Sequence, residues 1–204
     1  MSRMASGKAT ARLEGARFCV VHVARLSTRG LPLLTESSMS EFRSIAFEGE
    51  RIEWVVSQPF ARTLAKLHST LTRPKVLKML IFMRLGGKSK LKSYLNSVAG
   101  ESGLMILGTV PHGRLYRLLE DGPARTQMFL IGNPLIALTM MRVHAEAGVY
   151  APLRVMFSSD GPSKTLITYD QPSKMFAQWQ ESVFQQTGQI LDQKMQTLIR
   201  KLAE

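Results

Sequence analysis

Residues 129–157, FLIGNPLIALTMMRVHAEAGVYAPLRVMF, hold an apolar run, a glycine break, a long apolar stretch and a second, alternating run. That order leaves few folds open. Phe129, Leu130 and Ile131 make the short apolar run of a buried strand. Gly132 breaks it, Asn133 is a favoured helix N-cap, and Pro134 suits the first helical position, where its missing N–H costs nothing. Leu135, Ile136, Leu138, Met140, Met141 and Val143 then leave almost no polar face beside Arg142, His144 and Glu146. A helix apolar over most of its circumference is buried on several sides, so the reading is an interior helix. Gly148 ends it, and Leu153, Val155 and Phe157 alternate with Arg154 and Met156 as a strand. Asp160-Gly161 within SSDGPS marks a tight turn, and residues 165–169 return as the hairpin partner.

At 204 residues with 45% hydrophobic content, the chain is long and apolar enough for one globular core. Its single cysteine, Cys19, excludes an internal disulfide and a cysteine-rich metal site, and suits a reducing cytoplasm. No apolar run approaches the roughly 18–20 residues of a membrane span. The net charge of +12 is concentrated: no acidic residue lies between Glu53 and Glu101, while Arg62, Lys66, Arg73, Lys75, Lys78, Arg84, Lys88, Lys90 and Lys92 fall in that window. Such a block is either a solvated basic face or a surface for an anionic partner. It lacks interleaved surface aromatics and any groove-reading motif, which argues against nucleic acid.

Residues 1–38 have no clean periodicity and only Glu14 and Glu36 as acids. They read as a disordered leader, a transit-type segment, or an over-long start with Met39 as the true first residue; residues 18–24 are too short and broken for a secretory core. The domain is expected over 39–204. Ile52, Trp54 and Val56 alternate as a first strand, and Phe60, Leu64, Leu67 and Leu71 form one face of a helix beginning near Pro59. His68, beside that face, is expected to pack rather than to ligate. Residues 73–92, RPKVLKMLIFMRLGGKSKLK, read either as a semi-buried helix with snorkelling cations or as an in-plane anchor on anionic lipid, with Gly86-Gly87 as a flexible basic turn. A helix follows to Ala99, then a strand over 104–110, a helical turn over 112–119 closed by Asp121-Gly122-Pro123, and a strand over 127–131. From Ser173 a long helix is expected, with Phe176, Trp179, Val183, Ile190, Leu191, Met195, Leu198 and Leu202 as a broken apolar stripe and Gly188 as a possible kink. That stripe packs either on the domain's own core or on a partner.

No catalytic signature is present. There is no histidine pair at zinc-binding spacing, no nucleophile elbow and no dinucleotide glycine pattern. Gly87-Lys88-Ser89 lacks the phosphate-loop glycine five residues earlier, where Phe82 stands. Only His112 and His144 offer a pair that the fold could gather for a metal or a proton. The residues leave any cofactor unknown, and a non-catalytic role is expected, with an enzyme acting through His112 as the alternative.

Three motifs carry a resemblance: IGNPLIA at 131–137, YAPLRV at 150–155 and TYDQPS at 168–173, with a weaker one in SGLMILGTVPHG at 102–113. Together they resemble the prokaryote-rich domain of unknown function family 302 over roughly residues 50–173. His112 and Gly113 fit that family's Asp-His-Gly step, but Pro111 stands in place of the carboxylate. The resemblance implies an α+β fold, an antiparallel sheet with helices packed on one face, to which the long C-terminal helix is added. It also implies a homodimer, and it implies no chemistry.

The candidate site is geometric. A Gly-Asn-Pro step opening a buried helix offers free backbone N–H groups and the positive end of a dipole, which suits anions and carbonyl oxygens. Gly132 and Asn133 would form its base, Arg154 a charged partner, Tyr169 a closing ring and His112 the rim. Asn133 has a second reading, as the cap of its own helix. Two roles follow: a homodimeric module binding a small polar or anionic ligand near Asn133, or a surface module meeting anionic membrane or a partner through Lys88, Lys90, Lys92 and the C-terminal helix.

Overall fold

A computed structural model of the chain describes residues 44–120 and 125–204. The leader, Met39, Cys19 and the turn at Asp121-Gly122-Pro123 lie outside those residues. β1 (Arg51–Val56) turns Ile52, Trp54 and Val56 toward the core. β2 (Met105–Val110), β3 (Thr126–Gly132), β4 (Leu153–Ser159) and β5 (Thr165–Asp170) complete one sheet of order β1-β5-β4-β3-β2. Every neighbouring pair is antiparallel. The Asp160-Gly161 turn joins β4 to β5 with Gly161 at φ 81°, a conformation that favours glycine.

Because strand side chains alternate, register decides which residues meet. Val155 stands opposite both Phe129 and Tyr169, and Phe157 opposite Ile167, so these apolar side chains share the inner face. Phe129 and Phe157 meet edge to face at 5.3 Å. α1 (Phe60–Thr70) brings Phe60, Leu64 and Leu67, with Leu71 just beyond, onto that core as its spacing predicts. His68 packs edge-on against Phe129 at 5.6 Å; burial, with the Arg73 charge adding to it, holds its imidazole below the ordinary pKa.

α2 (Val76–Ile81), a π-helical turn (Phe82–Gly86) and α3 (Gly87–Ala99) follow one another directly. Gly86-Gly87 is therefore no flexible loop but the junction of two helical pieces, with Gly87 at φ 70°. α3 buries Leu95, Val98 and Ala99 in a second, smaller apolar cluster with Met105. α2 and the π turn bury nothing. The stretch is semi-buried on one side only, where Met79 packs against that cluster, while Leu77 is 71% and Leu85 82% exposed on the other.

After α4 (His112–Glu120) and β3, α5 runs only over Pro134–Met141. The expected continuation to Gly148 is replaced by extended backbone at His144 and a 3₁₀ helix over Ala145–Tyr150. Tertiary contacts outweigh helix propensity here: His144 Nε2 lies 2.7 Å from Glu181 Oε1, and its ring packs on Phe184 and Trp179. Nor is α5 an interior helix. Met140 alone is buried, and Leu138, Met141 and Val143 beyond it are exposed.

The C-terminal stretch is two helices, α6 (Pro172–Phe176) and α7 (Ser182–Ala203), because Trp179 turns back to stack on Phe184 at 4.7 Å. Asp192 of α7 accepts from the Ser173 N–H and from Gln171 Nε2, supplying the cap that the α6 start lacks from its own residues. Gly188 makes no kink; α7 passes through it unbroken, and a Cβ there would stand 2.6 Å from Ser173 Cα. α7 sinks Phe184, Leu191, Met195, Leu198, Ile199 and Leu202 into the core. At about 1.5–3 kcal/mol for each large apolar side chain, that burial is worth on the order of 10 kcal/mol. The stripe thus serves this core, while Ile190 stays outside it. Buried Gln58 closes the far end, its Nε2 donating to the Ala203 carbonyl at 3.1 Å.

Candidate functional site

Beside the start of α5 lies a cavity of about 380 Å³, within the roughly 300–1,000 Å³ usual for small-molecule sites. Gly132 and Pro134 border one side, Ile136, Ala137 and Met140 of α5 a second, and Leu153, Phe176 and Leu191 the core side. Met79 and Met83, from α2 and the π turn, close the opposite side, with Leu91 and Leu95 of α3. Among the described residues, Asn133 is the one amide side chain in this lining, Tyr150 contributes the one hydroxyl, and no lining residue carries a charge.

The sequence explains why the cavity forms there. α5 is apolar all round but only eight residues long, so it needs cover on two sides. The β-sheet core covers one side through Met140, and Ile136 packs against the same core. The other side faces α2 and α3, which approach without filling the space. Gly132 lets the end of β3 pass close to Pro152, whose Cβ would lie 3.2 Å from a side chain placed there.

The opening is concave, as the Gly-Asn-Pro step predicts, but it is not an electropositive anion cradle. Asn133 Oδ1 accepts from the Leu135 N–H at 2.9 Å, and its Nδ2 donates to the Gly103 carbonyl at 3.0 Å. Pro134 has no N–H, and that of Ala137 is bonded to the Asn133 carbonyl. At most the Asn133 and Ile136 N–H groups remain for a ligand. Asn133 is a cap and a tether, so both halves of its amide are already engaged.

Of the five residues proposed from sequence, the structure brings only Gly132 and Asn133 together at this cavity. Arg154 follows the lining residue Leu153 on a strand and so points to the opposite face of the sheet. There it lies 3.9 Å from Asp170, which also accepts from Arg51 at 3.1 Å. Tyr169 is on β5, with β4 between it and β3. It is buried against Ile52 and Trp54 in a separate depression with Asp192. Burial raises its phenol pKa, the neighbouring Trp54 indole opposes that, and the Asp192 charge adds to the rise. His112 begins α4 beyond the far end of β2, about 20 Å along the strand direction from the Met105–Gly132 pair at about 3.3 Å per residue. It groups with Leu115, Tyr116 and Thr126.

His144 is not beside His112 either. Its ring lies between two carboxylates, with Nδ1 3.4 Å from Glu146 and Nε2 2.7 Å from Glu181. The Glu181 carboxyl is held below its ordinary pKa chiefly by that hydrogen bond. Among the described residues no cluster of three or more histidine, cysteine or acidic side chains is placed to hold a metal ion. Sequence reasoning missed Met79, Met83, Leu91, Leu95 and Ile136 as lining. The signal was available in the lack of a polar face on α5; its early end and what covers its second side were not.

Comparison with known proteins agrees with this fold. The model of the domain of unknown function DUF302 matches residues 89–202, so the matched region begins later than expected and extends through α7. The crystal structure of an uncharacterized conserved DUF302 protein from Bacillus stearothermophilus is similar at a TM-score of 0.53 and 10% identity, covering 74% of this chain and 96% of that one. At such identity the likeness is one of fold. No curated protein matches the chain. With a family model spanning more than half of its length, the chain belongs to the DUF302 family.

Proposed function

We propose that the protein is a binding module whose ligand is apolar, an aliphatic chain or compact hydrocarbon group held in the cavity beside α5. One observation carries the reading: a cavity of about 380 Å³ whose lining has one amide, already engaged, and no charge. Magnitudes choose the ligand class. Each buried CH₂ contributes about 0.8 kcal/mol, whereas a polar group entering without a partner costs roughly 2–7 kcal/mol. The small polar or anionic ligand expected from the helix start would meet at most the Asn133 and Ile136 N–H groups and the Tyr150 hydroxyl in an otherwise apolar lining, so the ligand class is revised while the place is kept.

The test uses the full chain and the uncharged fluorophore N-phenyl-1-naphthylamine. Saturable binding at one site per chain, displaced by decanol and weakened at least tenfold by Ala137→Phe, supports the reading. Binding unaffected by Ala137→Phe and by a second filling variant, Ile136→Trp, with both variants folded by circular dichroism, overturns it.

A homodimer remains part of this reading. Leu115, Leu118 and Leu119 of α4 stand exposed, with Leu119 78% open, and give a second copy an apolar surface away from the cavity. Light scattering of the wild type against Leu118→Gln/Leu119→Gln decides it: a dimer lost in the variant supports the proposal, and a monomeric wild type at high concentration ends it.

A further inference from the structure

The helical segment 76–86 has two apolar sides. Met79 and Met83 line the cavity, while Val76, Leu77, Leu80, Ile81 and Leu85 face away from it, each about half exposed or more. An exposed apolar face of this size on one short segment marks an interaction surface. None of its residues is buried, so nothing in the domain's own core requires them to be apolar.

The charges around this face select its occupant. Lys75, Lys78, Arg84, Lys88, Lys90 and Lys92 flank it, and no acid lies between Glu53 and Glu101 to offset them. Among the described ion pairs of the protein, none includes any of these six cations. A second copy docking face to face would bring two such cationic rims together, which is repulsive. Nucleic acid would satisfy the cations but leave five large apolar side chains in water. An anionic lipid surface satisfies both, since phosphate groups meet the lysines and arginines at the depth where Leu, Ile and Val enter the acyl boundary. The Lys78 ammonium lies 5.0 Å from the Tyr94 ring and 5.7 Å from that of Phe82, so its stem already runs along the apolar segment with its charge at the edge.

We infer that segment 76–86 is a membrane-docking face for anionic bilayers, and that it sets the roof of the cavity against the lipid from which an apolar ligand would enter. The second half of this inference rests on the reading of the cavity given above; the first stands without it. No covalent step is involved. Among the described residues no helix is long and apolar enough to cross a membrane, so the contact is in the plane of the surface.

The test is co-sedimentation of the full chain with vesicles of phosphatidylcholine alone and of phosphatidylcholine with phosphatidylglycerol, at low and at physiological salt. Binding to the anionic vesicles is expected, weakening with salt and falling at least tenfold both in Leu77→Gln/Leu80→Gln/Leu85→Gln and in Lys88→Glu/Lys90→Glu/Lys92→Glu. These residues are exposed, so the variants should keep the fold, and the wild type's dependence on lipid charge is informative by itself. No sedimentation with anionic vesicles at low salt overturns the inference, as does equal binding to neutral ones. Loss of binding in the lysine variant alone, with the leucine variant unchanged, also overturns it, as does a self-associated state in the absence of lipid that the leucine variant abolishes. Capture of an acidic protein with no affinity for vesicles would assign the face to a protein partner and count against lipid. Ala137→Phe separates the two readings: failure of the cavity proposal leaves vesicle binding intact, and failure of the docking proposal leaves uptake of the fluorophore in solution intact.

Discussion

α7 and segment 76–86 are both rich in leucine, isoleucine and methionine, yet the first buries eight residues and the second none. Composition does not separate them; the other face of each does. α7 alternates its apolar stripe with Gln185, Gln186, Gln189, Gln193 and Gln196, so one side is free to be wet while the other packs. Segment 76–86 has no neutral polar residue and breaks its apolar run only with Lys78 and Arg84. A helix with one polar face has a single answer to where it belongs. One that is apolar on two sides and rimmed with cations has room for the core and for something outside it.

Four measurements break or sharpen this contrast. The largest effect is expected from Phe184→Ala, which empties a fully buried position under α7 and should cost about 3–5 kcal/mol in urea unfolding. Leu77→Ala in α2 should stay within about 0.5 kcal/mol. Comparable losses at both sites would mean that segment 76–86 belongs to the core after all.

Gly188→Ala comes next. Alanine gains about 1 kcal/mol of helix propensity over glycine, but its Cβ would meet the Ser173 backbone at 2.6 Å, and overpacking of that kind costs about 1–3 kcal/mol. Net destabilisation is expected; a more stable variant would show that α6 can move away from α7.

Asn133→Ala removes a helix cap and the bond to Gly103, and should destabilise the fold by about 1–2 kcal/mol. Its affinity for N-phenyl-1-naphthylamine should change less than threefold, because the amide is turned to the backbone. A tenfold loss in a folded variant would return Asn133 to the role of a ligand contact.

The smallest effect is electrostatic. Glu181 has a depressed pKa in the folded state, so its pairing with His144 adds stability above the ordinary glutamate value and loses it as pH falls through the folded value. In His144→Ala the Glu181 carboxyl, followed by carbon-detected NMR, should titrate closer to its ordinary value. An unchanged titration would remove His144 as the cause.

Local patterns carried much of this fold. The alternation in β1 and β4, the Asp160-Gly161 turn, the face of α1 and the Asn133-Pro134 helix start were all legible, because each is set by neighbours within a few residues. What was not legible depended on distant partners. His144 ends α5 early because Glu181 and Trp179 reach it from 37 and 35 positions away. The direction of Arg154 follows from the sheet parity of Leu153, and the separation of Tyr169 and His112 from Asn133 follows from strand order. The proposed cluster of five contacts assumed that residues flanking one motif meet in space; strand order β1-β5-β4-β3-β2 and side-chain alternation distribute them over four places.

The turn that follows α3 settles how the cavity walls differ. The Ser102 carbonyl accepts from Lys194 of α7 at 2.9 Å, and the adjacent Gly103 carbonyl accepts from Asn133. The beginning of α5 is thereby clamped, through one short loop, to the longest and most deeply seated helix. Met79 and Met83 on the other side ride on a segment whose start is tied to α3, where the Lys75 N–H donates to the Tyr94 hydroxyl at 2.6 Å. One wall of the cavity is thus proline and tethered backbone, and the wall opposite it is two long, unbranched thioether side chains.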